Sequence, residues 1–185
     1  MQMQTSALRR SGGFSMIEVL VSLIIIAVGV LGMVALQSKA IPYTQDSVQR
    51  NTAIMLADDL AEIIRSAGTC TAANSCVKPP GTNFPSVPGS CSPTPVDLSA
   101  QIGCWTAQAS RALPGVTAAI LKDSFYICRS KVPGDSQTAC GTSETSNSEV
   151  EIQLAWTVKS TAECLDTNRV GTTCTYRLRT RMRML

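Results

Sequence analysis

The stretch that decides the fold lies near the start of the 185-residue chain and reads GFSMIEVLVSLIIIAVGVLGMVAL, residues 13–36. Its last eighteen residues, from Val19 to Leu36, carry no charge. The 21 residues from Met16 to Leu36 carry one charge, that of Glu18. At a rise of about 1.5 Å per residue they would form a helix of roughly 31 Å, the thickness of a bilayer core. The sequence therefore predicts a helix that can span a membrane.

Basic residues before this stretch indicate its orientation. Arg9 and Arg10 lie just before it, and none of the first seventeen residues is acidic. Because flanking cationic residues stay on the cytoplasmic side, we expect a cytoplasmic N-terminus, a single pass through the inner membrane and a periplasmic head. A secretory signal peptide cut between Ala35 and Ala40 is the alternative, although its apolar run is usually only about 7 to 15 residues long.

The composition excludes several kinds of site. With 44% hydrophobic residues, the chain is typical of one soluble domain with an appendage. It has no histidine, which excludes a Ser-His-Asp triad, a histidine-ligated metal and a histidine general base. The net charge of +3 gives no general argument for nucleic-acid binding. No nucleophile-base pair stands out either, so we expect neither enzymatic activity nor a cofactor.

A lone carboxylate in lipid costs several kcal/mol, so Glu18 either lies close enough to the membrane surface to stay hydrated or has a partner. A cut after Gly13 would create an α-amine at Phe14 that could neutralise it. Within one helix the geometry is poor, since both groups lie on the first turn. Between staggered subunits it is good, and such a link would set the register of an assembly.

The segment from Gly13 to Val21 resembles the processing site of type IV prepilins. It combines a short basic leader ending in glycine, a phenylalanine, a glutamate four residues later and a long apolar helix. The resemblance implies cleavage between Gly13 and Phe14 by a prepilin peptidase, N-methylation of Phe14 and retention of the helix.

The chain departs from many major pilins inside this helix. It has Gly29 and Gly32, but no proline before Pro42. The glycines could allow partial melting of the helix on assembly or could serve close packing between helices, and both interpretations stay open.

As a whole, the chain is most similar to the minor pilins called pilus modification proteins, PilV type. The supporting segments are residues 14–37, residues 53–65, the helix around Trp105 and the strand around Trp156. The resemblance implies priming or modulation of pilus assembly with other minor pilins and the major pilin, and further roles in adhesion, twitching motility or DNA uptake. A pseudopilin of type II secretion and a membrane-anchored envelope enzyme are the alternatives.

An α+β, type IV pilin-like fold is expected, with a long helix packed on a small antiparallel sheet and disulfide-rich loops. The helix would run from Phe14 to Ala67, turn amphipathic after Leu36 and end at Gly68, and Pro42 could kink it. The expected divisions are a leader (1–13), a membrane or filament helix (14–41), an amphipathic half (42–68) and a head (69–185).

Within the head, residues 69–97 read as a loop, with six of the nine prolines. Asp97 is the expected N-cap of a helix whose apolar face is Leu98, Ile102, Trp105, Ala109 and Ala112. Residues 116–120 and 124–129 are candidate strands.

Two strands with alternating polarity are expected to form a hairpin over about residues 149–184. Pairing Trp156 with Leu178 would place Glu151 opposite Arg183 on a solvent-exposed face. Four arginines alternate on the second strand: Arg177, Arg179, Arg181 and Arg183. This basic face could contact DNA, but no aromatic residue lies between the arginines and two glutamates lie beside them, so a solvated or subunit-facing strand is the favoured interpretation.

Eight cysteines follow the helix: Cys70, Cys76, Cys91, Cys104, Cys128, Cys140, Cys164 and Cys174. Their spacings contain no C-x-x-C, so neither a metal site nor a thioredoxin-like redox site is expected. An even number outside the membrane favours disulfides, although eight cysteines allow 105 pairings. Cys164 with Cys174 is the best pair, because they flank the expected hairpin loop. Elsewhere we predict sequential pairs: Cys70 with Cys76, Cys91 with Cys104, and Cys128 with Cys140.

Overall fold

The computed structural model describes residues 13–67, 76–130, 132–134, 140–141, 149–166 and 169–181. The elements are α1 (Met16–Ser66), α2 (Leu98–Ala112), α3 (Ala118–Asp123), β1 (Tyr126–Ser130), β2 (Glu149–Thr157), a 3-10 turn (Thr161–Glu163) and β3 (Thr173–Thr180). The chain divides into two units, residues 1–41 and 42–185. The expected α+β fold is confirmed: a long N-terminal helix, a small antiparallel sheet and disulfides.

The helix α1 is slightly shorter than predicted. It has 51 residues, begins at Met16 rather than Phe14 and ends at Ser66. It continues as one helical element through Pro42. Gly68, the predicted stop, lies outside the described residues.

The core of the second unit joins one face of α1 to α2 and the sheet. Helix α1 contributes the buried side chains of Ala53, Leu56, Ala57, Leu60, Ala61 and Ile64. They belong to the same core as Trp105 of α2 and Ile152 and Trp156 of β2. Fully burying a large aliphatic side chain contributes about 1.5 to 3 kcal/mol, so this face holds α1 firmly in the core.

Helix α2 follows the prediction closely. The Asp97 carboxylate accepts a hydrogen bond of 2.9 Å from the amide of Ala100, which makes Asp97 the N-cap. The predicted apolar face is buried except at Ala112, which is exposed. Leu113, the first residue after the helix, is buried instead.

The predicted strand over residues 116–120 is wrong, because α3 occupies that region. The hydroxyl of Thr117 accepts a hydrogen bond of 3.3 Å from the amide of Ile120 and caps the helix. Ala118 and Ala119 follow the cap, and alanine has the highest helix propensity. The neighbouring candidate strand is real, but it forms over Tyr126–Ser130.

The three strands form an antiparallel sheet in the order β1-β2-β3, with β2 in the centre. The prediction that β2 is exposed on one face is wrong, because Glu151 and Gln153 on that face are buried. Tyr126, Arg179 and the backbone of Gly134 cover Glu151 there. We call this side of the sheet, which carries Tyr126, Glu151, Gln153 and Arg179, the polar face.

The predicted register of β2 and β3 is wrong by four residues. Trp156 lies opposite Cys174, and Glu151 lies opposite Arg179 rather than Arg183. The cause is a tight turn before β3, in which the amide of Thr173 donates to the carbonyl of Val170 at 3.0 Å. Pairing of β3 with β2 therefore begins at Thr173, the first residue of β3, which lies opposite Thr157. Since the shift is an even number, every side chain keeps its predicted face.

Three of the predicted disulfides, each between cysteines consecutive in sequence, form between described residues. They join Cys91 to Cys104, Cys128 to Cys140 and Cys164 to Cys174, with Cα separations of 5.7, 5.1 and 5.7 Å. Cys76 is also disulfide-bonded. Its predicted partner, Cys70, lies outside the described residues. In its described part, residues 76–97, the loop before α2 is irregular as expected, apart from a bridge between Lys78 and Ile127 of β1.

Candidate functional site

The residues of the predicted processing site precede the helix. Gly13, Phe14 and Ser15 have no regular secondary structure, and α1 begins immediately afterwards. The carbonyl of Ser15 accepts hydrogen bonds from the amides of Glu18 and Val19, at 3.0 and 3.2 Å. Phe14 is 82% exposed. The peptide bond between Gly13 and Phe14 therefore lies in an accessible segment outside the helical hydrogen-bond ladder.

Glu18 lies in the first turn of α1 and is exposed. An acidic side chain is favourable there, because the N-terminal end of a helix carries a partial positive charge. No cation among the described residues pairs with its carboxylate. The link between subunits that the sequence suggests therefore stays a prediction.

The apolar half of α1 has its large side chains exposed. It is long and apolar enough to cross a membrane, and none of its most apolar window is buried within the part of the chain that the structure describes. A Cβ atom added at Gly29 or Gly32 would meet no other atom within 4 Å. Both glycines thus leave shallow notches that a neighbouring helix could fill, and both interpretations of them remain open.

The arginines of β3 lie beside the glutamates of β2, as the sequence predicts. Arg179 pairs with Glu149 through Nε and with Glu151 through Nη1, each at 3.1 Å. The hydrogen bond from Arg179 lowers the pKa of Glu149. Arg177 donates to the Gln153 side chain at 2.6 Å. Arg177 and Arg179 are therefore held on the polar face rather than extended into solvent.

The other two arginines of the predicted basic face are Arg181 and Arg183. Arg181 is 3.5 Å from Glu149, but its side chain is 85% exposed. Arg183 lies outside the described residues. The arginines and the processing site belong to different units of the chain, since the unit boundary follows Ile41.

The sequence reasoning did not identify the buried carboxylate of Glu151 as the centre of a network. It accepts hydrogen bonds from the Tyr126 hydroxyl at 2.6 Å, the Gly134 amide at 3.0 Å and Arg179. Burial, together with the hydrogen bond to Glu151, raises the pKa of Tyr126 far above its ordinary value. The network fixes residues 132–134 against the sheet. The opposite charges at 151 and 179 were readable from the sequence, but the partners Tyr126 and Gly134 were not.

Lys78 is a second buried group that sequence reasoning missed. Its ammonium donates to the backbone carbonyls of Leu121, Lys122 and Phe125, at 2.9, 2.5 and 2.5 Å. It also lies 5.0 Å from the centre of the Phe84 ring. Burial lowers the pKa of Lys78 to about 8. Since its donors satisfy the carbonyls at the end of α3, this amine has a structural role, and no sequence pattern marks it.

One cluster has the residue types of a metal site. Oxygen and sulfur atoms of Asp46, Cys164 and Cys174 lie within 4.8 Å of one another. The two sulfurs are bonded to each other, so neither is available as a thiolate. Asp46 instead accepts hydrogen bonds from Arg50 Nε at 2.8 Å and from the amide of Leu165 at 3.5 Å. The cluster therefore ties the disulfide loop to α1 and does not suit a metal ion.

Comparison with known proteins identifies the N-terminal segment. The family model described as the prokaryotic N-terminal methylation motif matches residues 8–34. Neither a curated protein nor a solved structure matches the chain significantly. The matched range contains Gly13, Phe14, Glu18 and most of the apolar stretch. The motif is typical of type IV pilins and pseudopilins, and it supports the assignment of this segment as the N-terminus of a type IV pilin-like prepilin.

Proposed function

We propose that this protein is a minor pilin of the PilV type that takes part in type IV pilus assembly. The observation that supports the proposal is the methylation motif followed by a helix whose most apolar window is not buried within the described part of the chain. Such a surface is stable in only two surroundings, a bilayer and a bundle of similar helices. A subunit that moves from the membrane into a filament uses both.

In this mechanism a prepilin peptidase cuts between Gly13 and Phe14, and Phe14 is then N-methylated. The cut removes the leader with Arg9 and Arg10 and creates a cation at the new terminus. In the filament, that cation approaches Glu18 of a neighbouring subunit. In a medium of low dielectric constant, pairing the two charges offsets much of the cost of removing each from water.

Before assembly, the subunit spans the inner membrane once, with its N-terminus in the cytoplasm and its head in the periplasm. Arg9 and Arg10 support this orientation, because basic residues flank the cytoplasmic end of a span. The disulfides of the head support it too, since they persist in the oxidising periplasm.

The partners of the subunit are the prepilin peptidase, other minor pilins and the major pilin, and its role is to prime or modulate filament growth. Roles in adhesion, twitching motility or DNA uptake would follow from incorporation into the pilus. DNA binding by the basic face is less favoured, because Arg179 already pairs with two glutamates. A cation that is already paired neutralises phosphate poorly, so it releases few counterions from DNA and adds little to the affinity.

A pseudopilin of type II secretion is the second candidate, because the methylation motif is common to pilins and pseudopilins. Deletion of the gene separates the two functions. Loss of surface pili with normal secretion supports the minor pilin, whereas loss of secretion with normal pili supports the pseudopilin.

Processing can be tested by co-expression with a prepilin peptidase and mass spectrometry of the mature N-terminus. We expect the mature chain to begin at methylated Phe14. Replacing Gly13 by Val should block the cut, whereas the matched change Gly12→Val should not. A chain that keeps residue 1, or one cut between Ala35 and Ala40, would contradict the proposal.

A further inference from the structure

The two outer strands of the sheet differ in how their free edges are covered. The outer edge of β1 is bonded to its own chain at Ile127, whose amide and carbonyl pair with Lys78 at 2.9 Å in both directions. It is bonded again at Arg129, which pairs with Gly141 at 3.0 Å. Beyond β1, the amide of Thr157 in β2 donates to the carbonyl of Pro114 at 3.1 Å. The backbone groups on this edge of the sheet are therefore already hydrogen-bonded within the chain at Ile127, Arg129 and Thr157.

These hydrogen bonds also determine which backbone groups of β3 point away from the sheet. Because Ile127 bonds outward, it and Ile152 form a pair without mutual backbone hydrogen bonds. Ile152 therefore bonds towards β3, where Leu178 lies opposite. Leu178 bonds inward, so its neighbours Arg177 and Arg179 direct their amides and carbonyls away from the sheet.

The start of this outer edge is covered, but the rest is open in the described part of the chain. Thr173 bonds to Val170, and the amide of Thr175 donates to the Asp166 carboxylate at 3.3 Å. No described residue bonds to the backbone of Arg177 or Arg179. Two donors and two acceptors thus point outward in the geometry that an additional strand requires.

The charges beside the open edge indicate which side chains an added strand should carry. Three arginines accompany two carboxylates here: Arg179 pairs with Glu149 and Glu151, and Arg181 lies 3.5 Å from Glu149. Arg177 donates to the neutral side chain of Gln153 instead. One positive charge is therefore left over, and Arg181 presents it with a side chain that is 85% exposed. Directly opposite residues of paired strands lie on the same face, so an added strand would place alternate side chains beside these arginines.

A second copy of β3 does not fit this edge. If two copies paired through their outward-bonding residues, the arginines of one would lie beside those of the other. Like charges directly opposite each other in a sheet are destabilising. The excess positive charge at Arg181 would instead attract acidic side chains of a different strand.

We infer that the outer edge of β3, at Arg177 and Arg179, is a docking site for an extended acidic segment of a different protein, which adds to the sheet as a fourth strand. The backbone of Arg177 and Arg179 supplies the hydrogen bonds. Arg181, which presents the excess positive charge, favours acidic side chains in the added strand. The inference does not depend on the role of α1 in pilus assembly.

The test uses the full chain in detergent micelles and a labelled peptide of alternating Glu and Thr. Fluorescence anisotropy should show binding of this peptide, weaker binding of a peptide with its glutamates in one block, and none of an alternating Lys and Thr peptide. Hydrogen exchange should show fast amides at Arg177 and Arg179 in the free protein and protection when the alternating peptide is bound.

Two variants separate backbone pairing from charge. Arg177→Pro removes the side chain and the outward amide, whereas Arg177→Thr removes the side chain alone. The proline variant should bind the peptide about fivefold more weakly than the threonine variant, as expected for one hydrogen bond. Arg181→Glu should weaken binding of the Glu peptide and improve that of the Lys peptide.

Several results would overturn the inference. Slow exchange of both amides in the free protein would mean that the edge is already covered. Protection that rises with protein concentration without peptide would identify a second copy as the occupant. Binding without protection of the two amides, or equal affinity of the Arg177→Pro and Arg177→Thr variants, would reduce the interaction to nonspecific charge attraction.

Discussion

The indole nitrogen of Trp105 donates a hydrogen bond of 2.9 Å to the backbone carbonyl of Leu56 in α1. This buried bond joins α2 to the long helix at the centre of the core. Trp105 also packs against Phe125, with ring centroids 6.3 Å apart. The position of α2 on α1 therefore depends on a directional contact as well as on apolar burial.

Replacing Trp105 by Phe should lower the free energy of unfolding more than the same change at Trp156. Both tryptophans are buried, but the indole nitrogen of Trp156 has no hydrogen-bond partner among the described residues. Both changes remove similar volume, and only Trp105→Phe removes a hydrogen bond, worth about 1 kcal/mol. Urea denaturation of the full chain in detergent, followed by circular dichroism, measures the difference. Equal losses would mean that the bond to Leu56 contributes nothing.

Asp46 and Arg50 should be energetically coupled. Their atoms are 2.8 Å apart, and the Asp46 side chain is buried while that of Arg50 is partly exposed. Asp46→Ala should also free the loop at Leu165, whose amide donates to the same carboxylate. A double-mutant cycle with Arg50→Ala should give a coupling of about 1 kcal/mol, and Asp46→Ala should be the more damaging single change. Additive effects would refute the coupling.

The stability of the head should fall as the pH rises above about 10, the ordinary pKa of tyrosine. In the folded protein, burial and the hydrogen bond to Glu151 raise the pKa of Tyr126, so its phenol stays protonated. The unfolded chain releases that proton from about pH 10 upward and is thereby favoured. Tyr126→Phe should reduce this alkaline loss and should lower stability at neutral pH, because Glu151 loses a donor. Denaturant titrations at pH 7 to 11 test both effects, and identical pH profiles would contradict the assignment.

Replacing Glu18 by Val should allow membrane insertion but prevent incorporation into pili. The change removes the carboxylate that the proposed assembly link requires, while it makes the helix more apolar and so favours insertion. Membrane fractionation and immunoblotting of sheared pili measure the two steps. Ser22→Ala, one turn further along α1, is the matched control and should assemble normally. Normal piliation by Glu18→Val would remove the proposed link.

Features encoded by neighbouring residues could be predicted from the sequence. The processing motif, the Asp97 cap and the sequential disulfides all involve short separations, and α1 and α2 follow from helical periodicity. The strand register could not be predicted in this way, because a shift of four residues leaves every side chain of β3 on the same face. Alternation alone therefore cannot distinguish Arg179 from Arg183 as the partner of Glu151.

The remaining differences arise from backbone partners and from local capping. Lys78 binds carbonyls more than 40 positions along the chain. Every residue has a backbone carbonyl, so the sequence does not show which ones a lysine will bind. The apolar side chains of residues 116–120 predict a strand, but the cap that Thr117 supplies makes the segment helical. Alternation in β2 predicts that Glu151 faces water, because the pattern of one strand does not reveal that the phenol of Tyr126, in β1, covers it.

The order of the disulfides has a consequence for the maturation of the protein. The three described bonds close loops with sequence separations of 13, 12 and 10, and no loop encloses a cysteine of another pair. A chain that crosses the membrane from its N-terminal side exposes each pair before the next one emerges. An oxidase that joins the first two thiols it meets would thus produce the native bonds in order. Formation of these three bonds therefore requires an electron acceptor but no later rearrangement.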